Sequence, residues 1–329
     1  MKSYGIICFF LSLAMILFPL VSVEKATNVF KKEFAITEET ETTEKSEDIE
    51  TENSTVKVMN ANSKNITEMS LKEYLIGVVA AEINPAYHEE AIKAQVIAAH
   101  TKLEYTKLHN TPENAHITDS PASHQGYLTD DEQKEKWGEN YKTYYEKIKK
   151  CVEEVMNVII VYESEPINAV FHAISNGQTE NATDVWGGEY PYLVSVQSAG
   201  DKLSPAYTSE SIVSSDDFKK KVTENGATLE ENPEKWVKKI TYTDTGMVKE
   251  IIIGGKSFKG TEIRTLFDLK SSTFAVKYDD GSFIFTVCGY GHGVGMSQYG
   301  ANYMAQQGFS YEQILEHYYQ NSKCVIRNA

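Results

Sequence analysis

The most regular apolar spacing in the chain falls where Leu71, Leu75, Val78, Val79 and Glu82 follow one another at offsets of four, seven, eight and eleven. These offsets trace one face of a helix with about 3.6 residues per turn. Glu82 is the exception on that face. A carboxylate on an apolar stripe is either paired or driven toward its neutral form by desolvation. Ser70 supplies an N-cap, and Asn84-Pro85 ends the helix, because proline excludes helical geometry from the residue before it.

The surrounding pattern predicts the other elements. Alternation at Val56, Val58 and Ile66, interrupted by Asn60-Ala-Asn-Ser, reads as a hairpin. A second helix is predicted over residues 89–108, with Ala91, Ala94, Gln95, Ala98 and Ala99 small enough for close helix packing. Residues 110–129 read as a polar loop and 130–155 as a third helix. Strands follow at 158–162, 167–174, 239–242, 248–253, 274–278 and 283–287, with Asp280-Gly281 turning between the last two. A helix over 297–307 is stopped by Gly308, and a capping box running from Ser310 to Gln313 opens a last short one. The fold class expected is α+β, helices plus segregated, mainly antiparallel strands.

Composition changes this picture at the N-terminus. Residues 4–23 are almost unbrokenly apolar, enough for a span of roughly 20 residues, with only Lys2 before them. Val21-Ser22-Val23 is a poor cleavage site, so residues 1–23 are read as a transmembrane anchor rather than a removed signal. Residues 24–55 are rich in Glu, Thr and Ser and read as an acidic, self-repelling linker. Residues 56–329 then form the folded, extracytoplasmic body. The formal net charge of −15 argues against nucleic acid as a partner. Beyond the anchor stand Cys151, Cys288 and Cys324, with no C-x-x-C; buried thiols or a single bridge both fit.

Three polar or glycine-rich islands are not required by core packing. They are Glu82 with Asn84-Pro85; Ser175-Asn-Gly-Gln-Thr-Glu180, followed by Asp184, Trp186 and Tyr192; and Gly291-His-Gly-Val-Gly-Met-Ser-Gln-Tyr-Gly300. A carboxyl kept protonated near neutrality suits an acid that protonates a leaving group.

Residues 71–83 (LKEYLIGVVAAEI), 90–101 (EAIKAQVIAAHT), 175–180 and 291–300, in this order, resemble the stage II sporulation protein D family of peptidoglycan lytic transglycosylases. The resemblance implies that Glu82 is the general acid and then base in cleaving the β-1,4 bond between N-acetylmuramic acid and N-acetylglucosamine. The muramic 6-hydroxyl closes an anhydro ring, so the second carboxylate usual in glycoside hydrolysis is not needed. It further implies substrate contacts from His100, Ser175, Asn176, Gly177, His292, Gln298 and Tyr299, with Trp186 and Tyr192 as candidate sugar platforms. His100 stands where the family carries arginine, a weaker and pH-dependent charge.

Some relatives bind zinc in the loop after the second helix. Here that loop and its approach offer His109, His116 and His124 without a cysteine, so no cofactor is expected, zinc being the alternative. The implied partners are glycan strands stripped of stem peptides, the membrane, and a membrane-anchored wall amidase with its scaffold during engulfment. The implied place is the mother-cell membrane, facing the space around the forespore. Two other readings stand beside it: a noncatalytic enhancer of a wall amidase, and a serine hydrolase built from Ser175, His292 and Asp184. The second lacks a G-x-S-x-G elbow.

Overall fold

Ser70 closes a strand and opens a helix. In the computed structural model, which describes residues 54–109 and 111–327, β1 (Thr55–Met59) and β2 (Ile66–Ser70) form the antiparallel hairpin. The Ser70 side chain accepts from the N–H of Glu73, and Glu73 reaches back to Ser70, a full capping box at the start of α1 (Leu71–Glu82). The predicted anchor and nearly all of the predicted linker lie outside the described residues. Among the described residues, no helix is long and apolar enough to cross a membrane.

Leu75, Val78 and Val79 of α1 are fully buried, each burial stabilising the fold by about 1.5–3 kcal/mol. They pack against α2 (Glu89–His109), whose small Ala91, Ala94, Ala98 and Ala99 are buried as their size suggests. The following segment contains β3 (Ile117–Thr118), which adds parallel to β1. The single helix expected over 130–155 is two: α3 (Asp130–Trp137) and α4 (Tyr141–Val155), separated by a 3-10 turn at Gly138–Asn140 where Gly138 takes φ 51°.

Then come β4 (Val158–Tyr162), β5 (Glu165–Pro166), β6 (Phe171–His172) and the short α5 (Ala182–Val185). The strand expected over 167–174 shrinks to β6 because Ile174 pairs only as an isolated bridge with Tyr290. Residues 208–288 build a lobe with its own core: β7 (Thr208–Ser214), α6 (Ser215–Glu224), β8 (Val237–Tyr242), β9 (Val248–Ile253), β10 (Lys256–Lys259), α7 (Gly260–Phe267), β11 (Phe274–Asp279) and β12 (Ser282–Cys288). Its sheets run β10-β9-β8 and β11-β12-β7, all antiparallel. Phe218, Phe283 and Trp236 stack at its centre.

The chain then returns to the first core through β13 (Met296–Ser297), parallel to β6, then α8 (Gln298–Gln306), α9 (Tyr311–Tyr318) and β14 (Lys323–Ile326), which pairs with β4. The architecture is α+β, with mainly antiparallel strands. Cys151, Cys288 and Cys324 are all free thiols.

Candidate active site

Glu82 is the last residue of α1, and the loop before α3 folds over it. The backbone N–H of Gly126 donates to Glu82 Oε1 at 2.5 Å. Three further bonds hold that loop in register: Gln125 Nε2 donates to Tyr74 Oη at 3.0 Å and to the Ala99 carbonyl at 3.1 Å, and Leu128 N–H donates to the Gly77 carbonyl. A side chain at Gly126 would bring its Cβ to 3.1 Å from Oε1, so only glycine admits this approach without displacement. Lys136 on α3 caps the Ala80 carbonyl at 3.0 Å, close enough for its charge to act on Glu82.

These contacts set the proton affinity of the carboxyl. Burial raises the Glu82 pKa above the usual carboxylate range, and the Gly126 N–H and the Lys136 charge only partly oppose it. Among the described residues, no second carboxylate contributes to that balance. Lys93, a possible ion-pair partner, is instead bound to Glu90 and Glu154. With Oε1 engaged by Gly126, Oε2 is the oxygen left to carry a transferable proton.

The second and third islands are zipped together. Ile174 and Tyr290 exchange both backbone hydrogen bonds, and Glu180 N–H donates to the Gly293 carbonyl at 2.7 Å. The glycines of the third island serve this closeness. A Cβ at Gly291 (φ 116°) would meet His172 Cβ at 2.7 Å, and one at Gly295 (φ 71°) would meet the Val170 carbonyl at 2.1 Å. They admit neighbouring protein rather than ligand.

At the join sits Asp201, fully buried. Its carboxylate accepts from Ser175 N–H (2.9 Å), Ser175 Oγ (2.5 Å) and Ser297 Oγ (2.8 Å). Ser175, 2% exposed, is thereby committed to holding the fold and is unavailable as a nucleophile. Asp184 is exposed and bonded to Asn181. The serine-hydrolase triad is not assembled.

The other expected contacts divide. Asn176 Nδ2 donates to the Thr245 carbonyl, and Gly177, at φ 101°, lies under the Lys202 side chain, so both tie the second island to its neighbours. Gln298, nearly buried, donates from Nε2 to Gln95 Oε1 at 3.2 Å; Tyr299 donates to the Leu203 carbonyl and meets Tyr87 edge-on at 6.1 Å. Through Gln95 and Tyr87, α8 docks beside the α1–α2 junction that carries Glu82. His292 is half-buried, its ring 5.0 Å from that of Trp186 and 5.7 Å from that of His172. Burial, then His172 and the charges of Arg264 and Lys102, lower its pKa to about 3, so it is neutral at physiological pH.

His100 departs most from expectation. It is 1% exposed, with Nε2 at 3.8 Å from Glu104 Oε1, and Glu104 is held by Lys107 and Arg327. Burial lowers its pKa to about 4. It is therefore a neutral interior ring beneath a surface ion pair, shut off from open solvent. Tyr192 is likewise core, its Oη accepting from Asn168 N–H at 3.0 Å, whereas Trp186 is 46% exposed.

The three histidines weighed for zinc go separate ways. The His109 ring meets that of Tyr105 at a tilt, with centroids 4.4 Å apart, His116 Nδ1 accepts from Lys57 N–H, and His124 Nδ1 bonds Thr118 Oγ1. Among the described residues, no cluster of three or more His, Cys, Asp or Glu is placed to hold a metal. Sequence reasoning missed Gly126 and Lys136, which lie far from Glu82 in the chain. It also missed Asp201 and Glu180, although Glu180 closes the second island; its buried carboxylate accepts from Thr243 and Thr245, and burial raises its pKa.

A family model described as "Stage II sporulation protein" matches residues 59–162. The chain is 39% identical over 269 residues to stage II sporulation protein D of Bacillus amyloliquefaciens, covering 80% of this chain and 77% of that protein. It is 36% identical over 271 residues to stage II sporulation protein D of Bacillus subtilis, covering 81% and 78% respectively. An amidase enhancer of Bacillus subtilis is 26% identical over 297 residues, 74% of this chain but 39% of that protein. At these identities over most of both chains, the chain belongs to the stage II sporulation protein D family.

Proposed function

We propose that the protein is a lytic transglycosylase of peptidoglycan, with Glu82 as its one catalytic carboxyl. The observation that carries this is the setting of Glu82: a desolvated carboxyl held at Oε1 by Gly126, with no second carboxylate among the described residues influencing it. Protonated Oε2 gives its proton to the glycosidic oxygen between muramic acid and glucosamine. The carboxylate so formed is stabilised by the Gly126 N–H and the Lys136 charge. It then accepts the proton of the muramic 6-hydroxyl as that oxygen attacks the anomeric carbon, and the acid is restored. No water enters, and no second acid is required.

The family's place in sporulation and the anchor-like N-terminal residues support a single-pass protein with its body outside the cytosol, acting at the mother-cell membrane during engulfment. Its substrate is taken to be strands stripped of stem peptides, and its partners a membrane-anchored wall amidase and scaffold. A noncatalytic enhancer of a wall amidase is the second reading, favoured by the likeness to a protein of that name. The protein works without a bound metal in the first reading.

The test is incubation with purified glycan strands and mass analysis of the products. Transglycosylation gives anhydro-muramyl ends about 18 Da lighter than hydrolytic ends, one water being absent, and Glu82→Gln gives none. Wall binding without cleavage by the unaltered protein would favour the enhancer.

A further inference from the structure

Gly77 is buried in the middle of α1, where no turn or left-handed angle calls for glycine. Glycine weakens a helix interior relative to alanine. What it supplies here is room. A Cβ at position 77 would lie 2.1 Å from Tyr127 Cε2 and 2.7 Å from Cζ, so the Tyr127 ring rests directly on the helix backbone. The same ring runs nearly parallel to that of Tyr74, with centroids 6.4 Å apart at 7°. Leu128 N–H then donates to the Gly77 carbonyl at 3.1 Å.

Residues 125–128 are thereby strapped across α1. At one end Gln125, buried, uses both Nε2 protons on Tyr74 and Ala99. At the other end Tyr127 and Leu128 are fixed at Gly77. Gly126 lies between these attachments with its backbone set against the Glu82 carboxyl: a Cβ there would stand 3.1 Å from Oε1 and 3.7 Å from Cδ. The strap therefore acts on the acid twice, covering it and giving it an amide N–H.

Titratable groups on the neighbouring elements have smaller effects. Tyr74 on α1 is neutral, burial raising its pKa, and Lys136 on α3 only partly opposes the effect of burial on Glu82. On α2 and α4, Lys93 is bound to Glu90 and Glu154, and Lys147 to the Pro85 and Tyr87 carbonyls.

We propose that Gly77 and Tyr127 are positioning residues for Glu82: the ring, seated in the gap that glycine leaves on α1, holds the 125–128 strap down over the carboxyl. Both act through Gly126. Burial is the largest influence on Glu82, ahead of the Gly126 N–H. A strap that lifts removes both, so the carboxyl falls back toward its ordinary range and ionises at lower pH. On the glycan-cleaving reading, on which the catalytic consequence rests, such a carboxyl has no proton for the leaving group at neutral pH.

The test is the titration of Glu82 in the full-length protein, followed by the infrared absorption of its carboxyl as the difference from Glu82→Gln. Purified glycan strands give the pH profile of cleavage beside it. Tyr127→Ala and Gly77→Ala are each expected to move the Glu82 midpoint about one pH unit lower, with the alkaline limb of kcat/KM following it. Tyr127→Phe keeps the ring and is expected to leave both in place. Because the two changes lift one strap, Gly77→Ala combined with Tyr127→Ala is expected to move the midpoint no further than either alone. An unmoved midpoint in folded Tyr127→Ala, or shifts that add in the double variant, overturns the proposal and leaves the catalytic reading standing. A midpoint that moves as expected in a protein that cleaves no strands overturns the catalytic reading and leaves the strap.

Discussion

Gly126 and Glu82, 44 positions apart, are joined by a hydrogen bond from backbone N–H to carboxylate oxygen at 2.5 Å. The pair explains how a half-buried acid can lose its proton and remain tolerable in place: the amide already holds one of the two oxygens over which the charge spreads. Such preorganised donors are worth far more in a desolvated site than in water.

Crowding this pair tests it. Gly126→Ala places a methyl 3.1 Å from Oε1 and 3.3 Å from the Ala81 Cβ, forcing the amide back. The expected outcome is a fall in kcat of about tenfold or more, with melting temperature nearly unchanged. A drop in melting temperature with an unaltered kcat per folded molecule would show that the bond serves only the fold.

The Lys136 charge lowers the Glu82 pKa. The acid must be protonated to act, so activity falls as pH rises through that pKa. Lys136→Met removes the opposing charge, and the alkaline limb of the kcat/KM profile is expected to move to higher pH. A shift to lower pH, or none, would remove Lys136 from the site's electrostatics.

Two buried histidines set a limit on acid stability. The pKa values of His100 and His172 are each lowered from 6.5 to about 4 by burial. For a folded pKa below the unfolded one, the stability contribution is whole above about 6.5 and is lost as pH falls toward 4, at about 1.4 kcal/mol per pH unit for each ring. Chemical denaturation between pH 7 and 4 measures this slope. Replacement of His172 by glutamine is expected to reduce it by about one proton's worth.

Asp201 gathers Ser175 and Ser297 from the second and third islands. Asp201→Ala leaves their donors unpaired in the interior and is expected to cost about 2–4 kcal/mol of unfolding free energy. Ser175→Ala removes one hydroxyl from the same network and is expected to cost less, about 1–2 kcal/mol, with the products of glycan cleavage unchanged in kind. Loss of cleavage by well-folded Ser175→Ala would return that serine to the chemistry.

What could be read from the sequence was local. The α1 stripe, the Ser70 cap, the Asp280-Gly281 turn and the Gly308 stop all rest on neighbours within about one or two turns. β7 escaped because Thr208–Ser214 has no buried residue, its alternation being between exposed and half-exposed positions. α6 escaped because only Phe218 and Val222 are buried within ten residues. The site divides in the same way. Glu82 was visible as a charge on an apolar face, but Gly126 and Lys136 carry no signal in sequence that points to it. His100 was misplaced because helical position alone does not say which face meets α1 and which lies beneath β4.

The lobe of residues 208–288 has a further consequence. Its first and last strand residues, Thr208 and Cys288, are direct partners in the β7–β12 ladder, so the chain departs from and rejoins the first core at one point. An insertion bracketed in this way can lengthen, shorten or take a foreign loop without altering the spacing of the elements on either side. The Glu180 carboxylate, which accepts from Thr243 and Thr245, is where such a change would be felt. Relatives that differ in length therefore have a place to differ, and a reporter domain spliced into the Asp280-Gly281 turn has an exposed seat.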